Sequence, residues 1–331
     1  MLTQPITHER DRRALRSVCI VLLTTLATSI ALEFTLRLID LRILREASDE
    51  RSLSYRYDAE LGWMPIPNSS SVVTTARTIH AEHNSLGFRD IEFLPGARPT
   101  MLFMGDSFVW GVDAEANERF TDLLRSRISN YTIVNAGVSG FGTDQEYLLL
   151  QRIWVTIQPT VVVLIFCTDN DRKDNSLSER YDSYQKPYFV PAADGTLMLH
   201  GQPVPYSRQV YIKESWLVRH LWLARLAVSV YVEVRYPKVW RSDPTELLVG
   251  KVRDFVAAHG ARLFIGLQST DSELLQFLRA ENIPFATFDG ADAYPENFGA
   301  HWTPEGHKIV AERLFKLLSD NNIIQMESPS R

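Results

Sequence analysis

Cysteine is almost absent. The 331-residue chain carries only Cys19 and Cys167, which excludes a disulfide framework and any Cys-rich zinc site. Cys19 lies in an apolar run and Cys167 ends a β-like run, so both read as buried free thiols. The eight histidines are scattered, with no His-x-x-x-His pair and no clustered carboxylates, so no metal is expected. Nothing in the sequence calls for a cofactor. A basic block is missing too: Lys+Arg number 35 against 40 Asp+Glu, a net charge of −5. Phosphate backbones need clustered Lys/Arg, so no nucleic-acid partner is expected. No internal repeat or low-complexity tract occurs. What is present is 45% apolar and 23% charged residues, an ordinary globular mixture long enough for one large or two modest domains.

Those averages conceal an asymmetry at the N-terminus. Arg10, Arg12, Arg13 and Arg16 stand against Glu9 and Asp11, and the run Ser17 to Leu32 then carries no charge. As a helix, that run spans roughly 24 Å, and counting on to Leu36 gives about 30 Å, the thickness of a bilayer's hydrocarbon core. Glu33 then falls near one interface. The arginines favour an N-terminus inside, which places the remainder outside the cytoplasm. Two other readings stay open. Ser29-Ile30-Ala31 resembles a signal-peptide cleavage site, and a buried core helix is the plain alternative. The long charged lead and the continuation past Ala31 favour an uncleaved anchor.

Residues 37–98 are polar and turn-rich, and read as a stalk and lead-in, with Ser71 to His80 supplying a peripheral hairpin strand. From Pro99 short β runs alternate with amphipathic segments. Strands are expected at 100–104, 131–135, 160–166, 262–267 and 284–288, and helices near 118–129, 143–157, 246–259, 272–281 and 304–319. The run TVVVLIF is apolar throughout, as in a parallel strand covered on both faces. This alternation predicts a three-layer α/β/α sandwich around a central parallel sheet. An insertion at 172–245 interrupts it. The second half, 214–234, is strongly apolar but contains Arg219, His220 and Arg225, which suit a helix packed on the core or lying on a membrane surface better than a second span.

In parallel sheets chemistry collects at the carboxyl ends of the strands. Gly105-Asp106-Ser107 follows the first strand; no Gly-Lys-Ser/Thr follows it, so it is not a phosphate loop. There a serine presents its hydroxyl at the sheet edge, and its N–H lies at a helix start suited to an oxyanion. The glycine-rich turn Asn135 to Gln145 follows the second strand, and Thr168-Asp169-Asn170-Asp171 follows the third. Gly299-Ala300-His301-Trp302 precedes the last helix. Together these segments offer a nucleophile, two kinds of oxyanion donor and a base. Each also has a plainer use: Ser107 as a helix cap, Asn170 and the glycines as turn residues, His301 as a packed histidine.

The set resembles the SGNH (GDSL-type) hydrolases, which are serine esterases, lipases and carbohydrate O-acyl esterases or acyltransferases. Ser107 in GDSF matches the nucleophile, Gly140 in NAGVSG the oxyanion glycine, Asn170 in TDND the oxyanion asparagine, and His301 the base. The stretch NSLGFRD (84–90), preceded by ELGW (60–63), resembles a membrane-anchored bacterial branch. Arg89 within it reads as a structural ion pair or as an anchor for an anionic substrate. Thr168 stands where the family usually has glycine. The family's aspartate three or two residues before the histidine is missing, since Phe298 and Gly299 occupy those positions. Asp289, Asp292 and Glu296 lie upstream on the same loop, with Asp292 or Glu296 favoured as substitutes; a Ser–His dyad is the alternative.

The resemblance implies an SGNH/flavodoxin-like sandwich behind one transmembrane helix. The expected organisation is a cytoplasmic segment 1–16, an anchor 17–36, a stalk 37–98, a hydrolase domain 99–320 and a tail 321–331. The expected function is an extracytoplasmic esterase removing acyl groups, acetyl first among them, from a carbohydrate or small-molecule substrate. An O-acyltransferase with the same residues and a catalytically idle binding module are the alternatives.

Overall fold

The computed structural model describes residues 6–46, 54–96, 98–181, 184–296 and 299–324. Most of the tail expected at 321–331 therefore lies outside the described residues. The chain divides into two compact units, Met1–Ala47 with Tyr206–Pro237, and Ser48–Pro205 with Lys238–Arg331.

In the first unit, the helix Ile6–Ile39 contains the stretch Asp11–Ile39, long and apolar enough to cross a membrane. Leu22, Leu23, Leu26 and Phe34 on it are exposed. Cys19 is exposed as well, contrary to the expected buried thiol, because the helix turns its apolar side chains outward. The second half of the insertion belongs to this unit rather than to the α/β core. It is broken into three helices, Arg208–Glu214, Trp216–His220 and Trp222–Arg235. The Ser215 hydroxyl starts the second by accepting from Val218 N. Glu33 starts the third by accepting from Trp222 N at 3.0 Å and Leu223 N at 2.8 Å. Arg225 donates to the Leu44 carbonyl at 2.8 Å, so the basic residues that made a second span improbable serve as ties inside this unit.

The second unit opens with two antiparallel hairpins, β1 (Tyr55–Asp58) with β2 (Gly62–Pro65) and β3 (Ser70–Thr74) with β4 (Thr78–Glu82). Leu61, Trp63, Ile79 and Phe88 are buried in the same apolar cluster as the central strands. The stretch expected to be stalk and lead-in therefore contributes, from Tyr55 to Phe88, to the packed core. The hairpin strand expected at 71–80 is found as β3 and β4; β1 and β2 are four residues each, too short for their alternation to stand out from the surrounding polar sequence.

The central sheet runs β5 (Thr100–Met104), β6 (Thr132–Asn135) and β7 (Pro159–Phe166), then β12 (Arg262–Leu267) and β13 (Phe285–Thr287). Between β7 and β12 lie two small antiparallel pairs, β8 (Glu179–Arg180) with β9 (Tyr184–Gln185) and β10 (Tyr188–Pro191) with β11 (Leu197–His200). The sheet order is β13-β12-β7-β5-β6, and every pairing in it is parallel. Side chains alternate between its faces. Leu102, Met104, Val162 and Leu164 pack on one side, with the helices Thr143–Ile157 and Thr245–Ala258 and the hairpins; Met101, Phe103, Val161 and Val163 pack on the other, with Pro304–Asp320. The α/β/α sandwich is therefore as expected.

The order places a candidate crevice. From β5 the chain winds outward to β6, then returns to the other side of β5 for β7. The direction of winding reverses at β5, and ligands in such sheets bind beyond the strand ends at that reversal.

Candidate active site

Ser107 follows β5 directly at the reversal point. Asp106 shapes the turn, its carboxylate accepting from Phe108 N at 3.0 Å as the cap of a single-turn helix, Ser107–Trp110. Four residues carry little macrodipole, so local N–H groups rather than a long helix set the field there. The glycine-rich turn after β6 is pressed onto this helix. A Cβ at Gly137 would sit 2.4 Å from Trp110 N, so only glycine allows the approach. Asn135 locks the two together, its amide donating to the Val109 carbonyl at 2.8 Å and to Thr121 Oγ1 at 3.0 Å.

The first hairpin holds the turn from the other side. Trp63 Nε1 donates to the Ser139 carbonyl at 3.1 Å, and Ser139 N donates to the Tyr55 hydroxyl at 3.1 Å. Gly140 follows with φ +79°, and a Cβ there would come within 2.7 Å of the Tyr181 ring. Tyr181 thus lies over the turn, a neighbour that no sequence signal announced.

His301 closes the site across the chain. Its Nε2 lies 2.8 Å from Ser107 Oγ, and its ring packs beside Phe108 at 5.1 Å between centroids. The loop reaches it through left-handed backbone at Gly299 (φ +92°) and Ala300 (φ +54°). Asn170 stands after β7, but its amide is engaged: Nδ2 donates to Asp171 Oδ1 at 3.1 Å and Asp174 Oδ2 at 2.8 Å. Its Oδ1 accepts from the Cys167 thiol at 2.7 Å. Ser107 and His301 are therefore brought into contact, while both Asn170 amide hydrogens face carboxylates.

The loop acids expected to support His301 are placed elsewhere. Asp292 accepts from Thr303 Oγ1 at 2.6 Å, and Asp289 from Thr270 N at 2.7 Å. The Glu296 carbonyl accepts from Gly299 N at 2.9 Å. All three side chains are exposed, and Phe298 lies outside the described residues. Asp292 is thus held to the start of the last helix and Asp289 to the turn after β12. The carboxylate found 4.0 Å from His301 Nδ1 is Asp113 Oδ2, a residue missed by sequence reasoning. It shares a loop with Ser107, yet nothing in GDSFVWGVD singles it out, because its approach to His301 is made only by folding.

Arg89 is not a substrate anchor. It is 2% exposed and donates to the main-chain carbonyls of Gly111 at 2.6 Å, Ala114 at 2.8 Å and His80 at 2.8 Å. Behind Ser107 lies a set of buried acids. Burial first, then neighbouring carboxylates, raise Glu146 and Asp171 well above the ordinary carboxylate range. Burial likewise raises Asp106, against the opposing influence of Phe108 N–H and His301.

No protein-family model matches the chain, and no curated protein matches it. Solved structures with a similar backbone include a member of the lipolytic G-D-S-L family from Veillonella parvula, at 12% identity over 66% of this chain and 98% of that one, with a TM-score of 0.39. A GDSL-like lipase from Bacteroides thetaiotaomicron is similar at 12% identity over 70% of this chain and 93% of that one, TM-score 0.38. A carbohydrate acetylesterase family member from Sinorhizobium meliloti is similar at 15% identity over 67% and 98%, TM-score 0.37.

Proposed function

We propose that this chain is a serine ester hydrolase anchored by its N-terminal helix, with the α/β unit on the extracytoplasmic side and an O-acylated carbohydrate as substrate. The contact of Ser107 Oγ with His301 Nε2 at 2.8 Å, at the sheet's reversal point, carries the reading. His301 takes the hydroxyl proton as Oγ attacks the ester carbonyl. The tetrahedral oxyanion is held by the N–H groups of Ser107 and Gly140 and by the Asn170 amide, which must first release Asp171 or Asp174. His301 then returns the proton to the leaving alcohol, and water cleaves the acyl-enzyme by the same route. The extracytoplasmic placement follows from the arginines ahead of the anchor.

The test uses the full chain in lipid nanodiscs. Hydrolysis of p-nitrophenyl acetate and labelling by a fluorophosphonate are expected for the native chain and lost in Ser107→Ala. Equal behaviour of the two proteins, active or inert, overturns the reading. With an acetylated oligosaccharide and a hydroxyl-rich acceptor present, acetyl appearing on the acceptor faster than free acetate would replace the hydrolase by the transferase.

A further inference from the structure

We propose that Asp113 is the positioning acid for His301, supplied from the nucleophile's own loop instead of from the residues preceding the histidine. The inference rests on the reading of Ser107 and His301 given above.

Asp113 is fully buried, and its Oδ2 lies 4.0 Å from His301 Nδ1 with no hydrogen-bond partner among the described residues. Its other oxygen is held. Oδ1 accepts from Arg77 N at 2.9 Å and from the Thr75 hydroxyl, both in the turn joining β3 to β4. The carboxylate is thus fixed at one oxygen and presents the second to the imidazole. A carboxylate serving only the hairpin turn would gain nothing by burying Oδ2, since an unsatisfied charged oxygen away from water is costly.

The backbone around it is equally constrained. Asp113 takes a left-handed conformation, φ +62°, which Asp tolerates better than most residues. Arg89 holds the carbonyls of Gly111 and Ala114 on either side. Strain held in place by a buried clamp is characteristic of residues whose orientation matters for function.

The chemistry explains the need. Ser107 can lose its proton only to an unprotonated Nε2, which requires the hydrogen on Nδ1. A carboxylate facing Nδ1 selects that tautomer and stabilises the imidazolium formed during attack. Closing 4.0 Å to a hydrogen bond takes an imidazole tilt of roughly 1 Å, and such bonds are commonly long before substrate arrives. On this assignment the two hairpins are part of the catalytic support: one steadies the glycine-rich turn and the other steadies the acid.

The experiment compares Asp113→Asn and Asp113→Glu with Ser107→Ala and the native protein, all full-length in nanodiscs. Asn keeps an oxygen for Arg77 and Thr75, so melting should change little. Its kcat is expected to fall about 10²- to 10⁴-fold with KM little altered. The acid limb of its kcat/KM profile should move to lower pH, because the imidazolium loses its neighbouring carboxylate. Glu should recover part of the rate. In the native protein, a far-downfield proton resonance from His301 Nδ1–H at low pH is expected, and it should vanish in Asp113→Asn. If Ser107→Ala is inert but Asp113→Asn keeps the native rate and pH profile, Asp113 is structural and the inference falls while the esterase reading stands. If Ser107→Ala is as active as the native chain, the reading itself has failed. Should Asp113→Asn not fold, the native resonance decides: its presence supports the assignment and its absence overturns it.

Discussion

His83 and His307 are held as neutral imidazoles, and this makes the fold sensitive to acid. His83 Nε2 accepts from Trp110 Nε1 at 3.1 Å, and His307 Nδ1 accepts from Phe120 N at 3.3 Å. Burial, with the charges of Arg89 and Arg119 added, lowers His83 to about 4 and His307 to about 3, from an ordinary 6.5. Between those values and 6.5 the unfolded chain binds more protons than the native one, so stability rises with pH through that window. Acidification from pH 6.5 towards 4 should lower the melting temperature, with each histidine contributing at most about 1.4 kcal/mol per pH unit. His83→Gln, which keeps an acceptor, should flatten part of that slope; an unchanged slope would exclude the assignment. Glu146 works in the opposite sense. Both its carboxylate oxygens are buried without a hydrogen-bond partner among the described residues, and its raised value means the native state keeps the proton longer than the unfolded chain. Its contribution is complete below pH 4.5 and is lost as pH rises towards the native value. Glu146→Gln should therefore stabilise the protein more at pH 8 than at pH 5 in denaturant titrations, and an equal effect at both would refute it. That Ser107 and His301 would meet could be anticipated from the sequence, because Ser107 directly follows a strand and His301 lies just before the last helix. Asp113 and Glu146 could not, because burial and through-space neighbours define them.

The element that ties the site together is the stretch NSLGFRD. Asn84 builds its turn, with Oδ1 accepting from Leu86 N and Phe88 N at 3.0 Å each. Asp90 then receives Asn135 N at 2.8 Å, while Arg89 clamps the loop beyond Ser107. A seven-residue segment thereby fixes both the loop after Ser107 and the end of β6. Its importance was visible in the sequence only as a motif; the physical reason is that the guanidinium satisfies carbonyls of the loop Gly111–Ala114, which has no ladder of its own. Lysine cannot bridge several carbonyls from one planar fork. Arg89→Lys should cost about 2–4 kcal/mol of stability and lower kcat more than KM, because the loop carrying Asp113 loosens. Chemical denaturation and steady-state kinetics would check both parts, and a variant with native stability and kcat would remove Arg89 from this role. The five core strands were legible because each is a short, apolar-rich run alternating with an amphipathic helical segment. The second hairpin was legible as the valine- and threonine-rich stretch 71–80; the first was not, since its few large apolar side chains, Leu61 and Trp63, are spread among polar neighbours.

At the scale of the whole molecule, the chain order and the packing units do not coincide. Residues 206–237 sit between strands of the α/β unit in sequence but pack with the N-terminal helix. Apolarity at 214–234 was evident from sequence; the partner of that surface was not, because the contact joins segments far apart in the chain. The tie is specific: Glu33 caps the helix Trp222–Arg235, and Arg37 donates to the His220 carbonyl at 2.6 Å. Losing a helix cap costs on the order of 1 kcal/mol, and the helix would also lose its packing against the N-terminal segment. A chain beginning near residue 40 lacks Glu33 and Arg37 yet keeps all of the second unit, including Ser107, Asp113 and His301. Such a chain should be cleaved by a broad-specificity protease within 206–237 much faster than the full chain. Its α/β unit, whose strands and hairpins share one core, should still react with a fluorophosphonate at Ser107. Mass spectrometry of the fragments would locate the cuts. Equal protease resistance of the two chains would show that 206–237 does not depend on the N-terminal helix, and loss of labelling would show that the site does.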